Sequence, residues 1–122
     1  MVGSTLPPSA AVTAVGVDHV RLLYAYLDAG ELDGYASLTD EDVELRGLGS
    51  RDTDNRDDAV SMFRSWPPGT HDLRTVQPTD DGVTVVGRYT GATTTVDFAD
   101  VFTLSDCGLI RSHRRVHWVA LG

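Results

Sequence analysis

The most informative residue in the sequence is an acid on an otherwise apolar strand face. In the segment VDFADVFTL, the alternation of side chains along a strand places Asp100 on the same face as Phe98 and Phe102. A carboxylate there is costly unless it is hydrogen-bonded, paired with a cation or kept neutral by a raised pKa. Such placements cluster at functional sites, so Asp100 is predicted to mark a ligand-binding or catalytic pocket. The same position also fits a structural acid that caps a loop amide or pairs with an arginine of the last strand.

The last predicted strand, IRSHRRVHWVAL, carries groups that could exchange protons with Asp100. Alternation places four polar side chains on one of its faces: Arg111, His113, Arg115 and His117. Same-face residues of neighbouring antiparallel strands lie side by side, so this face could meet Asp100. A histidine beside an aspartate is a natural proton-transfer unit near neutral pH. Polarity alone equally allows the opposite orientation, with Val116 and Trp118 in the core and the charged face in solvent.

Aromatic side chains elsewhere in the chain could line the same pocket. Tyr24 and Tyr35 lie on helix faces that are predicted to pack over the sheet, where each hydroxyl either reaches the pocket or only fills the core. Phe63 and Trp66 are predicted to lie in the core or at its rim. His71 follows the segment PPGT and is expected to be solvated.

Composition excludes several classes of protein. The net charge of −8 argues against a nucleic-acid-binding surface. No stretch approaches the roughly 18 apolar residues of a membrane span, and no signal-peptide pattern is visible, so a cytoplasmic protein without membrane contact is expected. The single Cys107 excludes an internal disulfide and a cysteine-based zinc site. The acidic runs do not match a calcium-binding loop and no dinucleotide fingerprint occurs, so no metal or cofactor is predicted.

The elements that must position these residues follow an α+β order. Residues 1–12 are expected to form a flexible tail, and residues 13–122 a single domain. Apolar spacing predicts a helix from Thr13 that Gly30 ends, and a third helix that Asn55 caps. Helices followed by strands indicate a curved antiparallel sheet with helices packed on one face. The remaining predicted elements are a helix over residues 32–38 and strands over residues 43–46, 72–77, 83–89, 93–104 and 109–121.

Three segments of the chain, in this order, are typical of one family. The first, YLDAGELDGYASLTDEDVEL, continues from the first helix into the first strand. The second, NRDDAVSMF, lies at the third helix. The third, DVFTLSDCGLIRSH, forms a hairpin that carries an Asp, a Gly-x-Ile and a His. From about residue 15 to residue 119 the chain resembles the nuclear-transport-factor-2-like cone fold, in particular its ketosteroid isomerase and SnoaL-like polyketide cyclase group. The resemblance implies a cone-shaped barrel in which three helices pack on the concave face of the sheet. It also implies a homodimer formed through the outer face of the sheet.

The resemblance assigns positions to the candidate site residues. Asp100 falls where ketosteroid isomerases keep the acid of their oxyanion hole, a carboxylic acid held neutral near neutral pH. His113 falls on a histidine that is common in SnoaL-like sequences, and His117 on a pocket-lining aromatic residue of the isomerases. In this fold, the face that carries both histidines looks into the cone.

The chain also departs from each known chemistry of the family. The general base of the isomerases falls on Gly47, and their oxyanion tyrosine falls on Leu23, one step around the helix from Tyr24. The catalytic aspartate of SnoaL-type cyclases falls on Arg115. An arginine typical of limonene epoxide hydrolases falls on Phe98. The resemblance therefore supports a pocket without selecting a reaction.

These residues and the resemblance predict a cofactor-independent acid–base enzyme. It would be a cyclase, isomerase or dehydratase of an apolar, carbonyl-containing small molecule such as a polyketide or terpenoid intermediate. The alternative is a non-catalytic module of the same fold that binds a small molecule or serves assembly. A bidentate pair between Asp100 and Arg115 with no remaining cavity would exclude the enzyme. The predicted catalytic residues are Asp100, His113 and His117. The predicted substrate-binding residues are Tyr24, Tyr35, Phe63, Trp66, Phe98, Phe102 and Arg115.

Overall fold

The computed structural model describes residues 10–119, and in this range the α+β order of the sequence is confirmed. Of the tail predicted over residues 1–12, residues 1–9 lie outside the described residues, as does the end of the last predicted strand, whereas residues 10–12 belong to the first helix. The first helix begins three residues before its predicted start. The helices are α1 (Ala10–Ala29), α2 (Leu32–Ser37) and α3 (Arg56–Arg64). The strands are β1 (Thr39–Arg46), β2 (Gly69–Pro78), β3 (Gly82–Gly91), β4 (Thr95–Leu104) and β5 (Ile110–Trp118).

The five strands form one curved, unclosed sheet in the order β1-β5-β4-β3-β2. The four strands from β2 to β5 make the predicted antiparallel meander. β1 adds to the far edge as a parallel neighbour of β5, with Leu45 opposite His113, a pairing that strand patterns alone do not predict. Among residues 10–119, none of the helices has the length and apolar character needed to cross a membrane.

The helices cover one face of this sheet because each carries one apolar stripe. Val20, Leu23 and Tyr24 form the stripe of α1 and are almost completely buried. Asn55 caps α3 as predicted, since its side-chain oxygen accepts the backbone N–H of Asp58 at 2.8 Å. Phe63 of α3 is also buried in the core that the helices share with the sheet. The core therefore fills the concave side, where the resemblance places the pocket.

The face of β5 that looks into this core is the charged one. His113 is 1% exposed and Arg115 is 7% exposed, whereas Val116 is 61% exposed. The alternative orientation, with Val116 and Trp118 in the core, is therefore wrong. A register shift at the start of β5 also puts Ile110 in the core and leaves Arg111 exposed, so Arg111 does not share the inner face as predicted.

Gly47 ends β1 against the backbone of β5. Its φ of +78° lies in the left-handed region, and a Cβ atom on it would overlap the carbonyl oxygen of Arg115. At the position where the isomerases carry their general base, the backbones of β1 and β5 thus lie too close together for a side chain. A side chain is sterically excluded there.

We expect Gly47→Ala to destabilise the protein more than Gly30→Ala does. Both glycines have a positive φ, which costs alanine about 1–2 kcal/mol. A Cβ at Gly30 meets open space, so only Gly47→Ala adds an overlap, worth a further ~1–3 kcal/mol. Urea denaturation of the two variants measures the difference, and equal losses would show that the contact with Arg115 is not tight.

Candidate functional site

Asp100 lies at the centre of a buried hydrogen-bonded cluster. Arg115 binds it in a bidentate manner, with Nε donating to Oδ1 at 2.7 Å and Nη2 donating to Oδ2 at 2.8 Å. Nε2 of His113 lies 2.9 Å from Oδ2, and the hydroxyl of Tyr24 donates to Oδ2 at 2.5 Å. The sequence left open whether Asp100 pairs with a histidine or with an arginine, and in the structure it pairs with both His113 and Arg115.

Strand register and one helix bring the four residues of this cluster together. Asp100 of β4 lies directly opposite Arg115 of β5, and His113 lies opposite Phe102, two residues further along the same face. Tyr24 comes from α1, which crosses over the sheet and buries this tyrosine to 2% exposure. The polar cluster is therefore built into the contact between α1 and the centre of the sheet.

Charge pairing keeps Asp100 ionised despite its burial. Burial alone would raise the pKa of Asp100, but the hydrogen bond from His113 and the charge and hydrogen bonds of Arg115 outweigh it and hold the pKa well below its usual range. Burial would likewise lower the pKa of Arg115, and the bond to Asp100 raises it instead. The resemblance implies a neutral acid at this position, whereas this carboxylate is held as an anion because a cation binds both of its oxygens.

The other two partners act as neutral hydrogen-bond donors to this carboxylate. Burial and the charge of Asp100 raise the pKa of Tyr24, so its phenol keeps the proton. Burial lowers the pKa of His113 against the attraction of Asp100. A neutral His113 ring donates through Nε2, which leaves Nδ1 buried and without a hydrogen-bond partner among residues 10–119.

Arg115 connects the cluster to a cavity of about 330 Å³ at the open end of the cone. Its guanidinium carbon lies 4.2 Å from the ring centroid of Phe98 and 5.8 Å from that of Trp66. Asp100 and His113 lie behind it and are fully or almost fully buried. The cavity is lined by Arg115 together with Leu48, Trp66, Pro67, Tyr89, Val96 and His117 and with residues 91–94.

The structure separates the remaining predicted site residues into two groups. His117 is exposed and lines the cavity, opposite Phe98 on β4. Tyr35 and Phe63 pack edge to face in the core, with ring centroids 5.0 Å apart. Phe102 is fully buried against His113, with ring centroids 4.1 Å apart. His117 thus reaches the cavity, whereas the other three belong to the core behind it.

The sequence interpretation missed a second histidine–carboxylate pair. His71 was expected to be solvated, and this is wrong, because its side chain is 1% exposed. Its Nδ1 lies 2.6 Å from Oδ1 of Asp28, and its backbone N–H donates to Oδ2 of the same residue at 2.9 Å. The period-two spacing from His71 to Leu73 at the start of β2 was the available signal, since it puts both on the inner face.

Comparison with known proteins shows which family the chain matches over most of its length. The family model described as SnoaL-like domain matches residues 20–113. A putative ketosteroid isomerase from Kribbella flavida has a TM-score of 0.79 at 16% identity, covering 90% of this chain and 82% of that chain. A putative SnoaL-like polyketide cyclase from Jannaschia sp. has a TM-score of 0.77 at 18% identity, covering 89% of each chain. The resemblance seen in the sequence is therefore confirmed.

A further structural neighbour is SalBIII, described as an epoxide hydrolase/cyclase-like enzyme with a role in pyran ring formation in the polyether salinomycin. Its TM-score is 0.74 at 21% identity, covering 84% of this chain and 90% of that chain. No relative among curated proteins matches the chain. At these identities, the likeness to solved structures shows the fold.

We expect Asp100→Asn to destabilise the protein by about 3–5 kcal/mol at pH 7, since it leaves the buried Arg115 without its counter-ion. The folded-state pKa of Asp100 is lowered, so its stabilising effect is present above its unfolded-state pKa and is lost as the pH falls. The difference between wild type and variant should therefore shrink below about pH 4. Urea denaturation across a pH series measures it. Asp54→Asn is the control, because it removes only an exposed partner of Arg46, and an equal loss there would contradict the assignment.

Proposed function

Since the chain belongs to the SnoaL-like domain family, we propose that it is a cofactor-independent acid–base enzyme of an apolar, carbonyl-containing small molecule. The proposed reaction is a cyclisation, isomerisation or dehydration of a polyketide or terpenoid intermediate. The observation that carries the proposal is the Arg115 guanidinium, which is fixed by Asp100 and faces a cavity between aromatic rings. A cytoplasmic location is part of the proposal, and the exposed free thiol of Cys107 is compatible with it.

Arg115 has the properties of a group that stabilises negative charge on a substrate oxygen. Its guanidinium has N–H donors beyond the two that bind Asp100, and it does not lose its proton in proteins. The bidentate pair fixes its orientation before the substrate arrives, so little reorganisation accompanies the reaction. An enolate oxygen that forms in the cavity would accept a hydrogen bond from this preorganised cation.

Asp100 is proposed to act as a positioning residue in this enzyme. Four hydrogen bonds occupy its two oxygens, and its ionised state leaves no proton to donate. His113 and Tyr24 also hold Asp100 in place through hydrogen bonds, and both are buried away from the cavity surface. His117 is proposed to exchange protons at the mouth, because its exposed imidazole shares the cavity lining with Arg115.

One observation favours the second candidate, a non-catalytic module that binds an apolar ligand. The bidentate pair between Asp100 and Arg115 is present, and without a remaining cavity this pair would exclude the enzyme. A cavity lined by Arg115 is also present, so the enzyme remains consistent with the geometry. The two candidates differ in whether a bound ketone exchanges its α-protons.

We expect the wild-type protein to accelerate α-deuterium incorporation into an apolar ketone such as β-tetralone in heavy water, followed by NMR. Arg115→Lys should slow this exchange about a hundredfold, because lysine keeps the charge but loses the bidentate fork that orients it. Arg114→Lys is the control, since Arg114 is exposed on the outer face of the same strand.

The outcomes of this assay separate the candidates. Ketone binding without exchange would replace the enzyme by the binding module. Failure of the wild type to bind or exchange any ketone of a panel of cyclic and open-chain apolar ketones would overturn the proposal. An equal loss of exchange rate in the Arg114 and Arg115 variants would show that Arg115 has no specific role in the reaction.

The outer face of the sheet is proposed to pair two copies of the chain. The neighbouring strands β4 and β5 present Val101, Val116 and Trp118, which are 47%, 61% and 45% exposed. On this face Val116 lies opposite Ala99 and diagonal to Val101, which is itself opposite Arg114, so the exposed apolar side chains surround one arginine. Large side chains exposed together in this way are typical of protein–protein contacts.

We expect Val116→Glu to convert a homodimer into a monomer, because two buried carboxylates would face each other across a twofold contact. Sedimentation velocity measures the change in mass. Val15→Glu is the control, since Val15 is 44% exposed on α1, away from the sheet. A wild-type monomer, or a Val116→Glu dimer, would contradict the proposed contact.

A further inference from the structure

His71 and Asp28 form a pair that takes no part in the chemistry proposed for Arg115, Asp100 and His117. Asp28 lies near the end of α1 and binds both the backbone and the ring of His71 on β2. These two contacts fix the position of the residue and the rotation of its ring. Nε2, at the far side of the ring, is buried and has no hydrogen-bond partner among the described residues. A buried nitrogen without a partner is uncommon, because its desolvation is not compensated.

The protonation state of His71 follows from its neighbours. Burial and the charge of Arg115 lower the pKa of His71, against the opposing effect of Asp28. The ring is therefore neutral near pH 7, with its single proton on Nδ1 facing the carboxylate of Asp28. Nε2 then carries a free lone pair, which is the state that a general base requires.

His71 lies beside the space that the proposed substrate would occupy. Its ring stacks on Trp66, with centroids 6.1 Å apart, and Arg115 lies over the same indole at 5.8 Å. His71 and Asp28 line a second cavity of about 330 Å³. Trp66, Pro67 and Tyr89 line both this cavity and the one at Arg115, so they form the wall between the two.

We infer that His71 is the general base of this site, that Asp28 is its positioning residue, and that the substrate lies across the Trp66 wall between His71 and Arg115. Nε2 takes the proton from the carbon next to the carbonyl group. The electron pair of the broken C–H bond moves into the carbonyl, and the enolate oxygen accepts a hydrogen bond from Arg115. Nε2 then delivers a proton to carbon at the same or a conjugated position, and the enolate electron pair forms the new C–H bond and restores the carbonyl group. Deuterium enters the ketone when the proton on Nε2 has exchanged with the solvent before this delivery. Because Nε2 is buried, side chains packed around the ring of His71 must move aside when the ketone binds.

This inference rests on the proposed acid–base function and names its base, so its test uses the same β-tetralone exchange assay. His71→Asn keeps a side-chain N–H near the position of Nδ1, so the bond to Asp28 and the fold are retained while the base is lost. We expect its exchange rate to fall about a hundredfold or more, with ketone affinity unchanged. His19→Asn is the matched control, because His19 lies in the middle of α1 and bonds the carbonyl of Gly108, away from Asp28.

A second measurement tests the pair without relying on turnover. Nitrogen NMR of the histidine rings should show the proton of His71 on Nδ1, and β-tetralone should shift its Nε2 resonance. Asp28→Asn should move the proton to Nε2, because the asparagine amide can donate to Nδ1, and should slow exchange with it. Slower exchange with an unchanged tautomer would show that Asp28 acts only through the fold, and would overturn its role as a positioning residue.

The outcomes distinguish the inference from the proposed function. Full exchange by His71→Asn, or a proton on Nε2 in the wild type, overturns the inference and leaves the enzyme proposal standing. A wild-type protein that neither binds nor exchanges any ketone overturns both. Loss of exchange in His71→Asn with retained binding and an unchanged His19 variant supports the assignment.

Discussion

The bidentate bond between Asp100 and Arg115 is the interaction on which the rest of the site depends. Each charge alone would be strongly unfavourable among Phe98, Phe102 and the other core residues, because an apolar interior solvates ions poorly. Together they are retained only with tight geometry, and β-strand register supplies that geometry by placing the two residues directly opposite each other. The pair therefore constrains both the pairing of β4 with β5 and the place where a cation can face the cavity.

Other elements are fitted around the same pair. α1 must cross the sheet where Tyr24 can donate to Asp100. β1 approaches β5 so closely at Arg115 that Gly47 leaves no room for a side chain. These constraints explain why the family position of the isomerase base is empty here. The space that a carboxylate would need is used to hold the backbone of the residue that carries the positive charge.

The two buried histidines show how orientation decides what a histidine can do. His113 uses Nε2 to bind Asp100 and turns Nδ1 into the core, so neither nitrogen reaches a cavity. His71 uses Nδ1 to bind Asp28, and Nε2 has no partner among the described residues, in a ring that stacks on Trp66 and lines a cavity. Both pairs join an imidazole to a carboxylate, yet only the second leaves a lone pair next to space for a ligand.

The sequence by itself determined the α+β order, the cap at Asn55, the inward face of β4 and the unusual position of Asp100, because these follow from local spacing and side-chain alternation. The resemblance then predicted the cone and the inward face of β5, which polarity had left open. Only the tertiary structure decided that Asp100 is an anion, since its charge state depends on Arg115 and His113 from another strand. It alone brought His71 to Asp28, because alternation along β2 indicates only that His71 faces inward, and no local pattern identifies a partner 43 residues away in sequence.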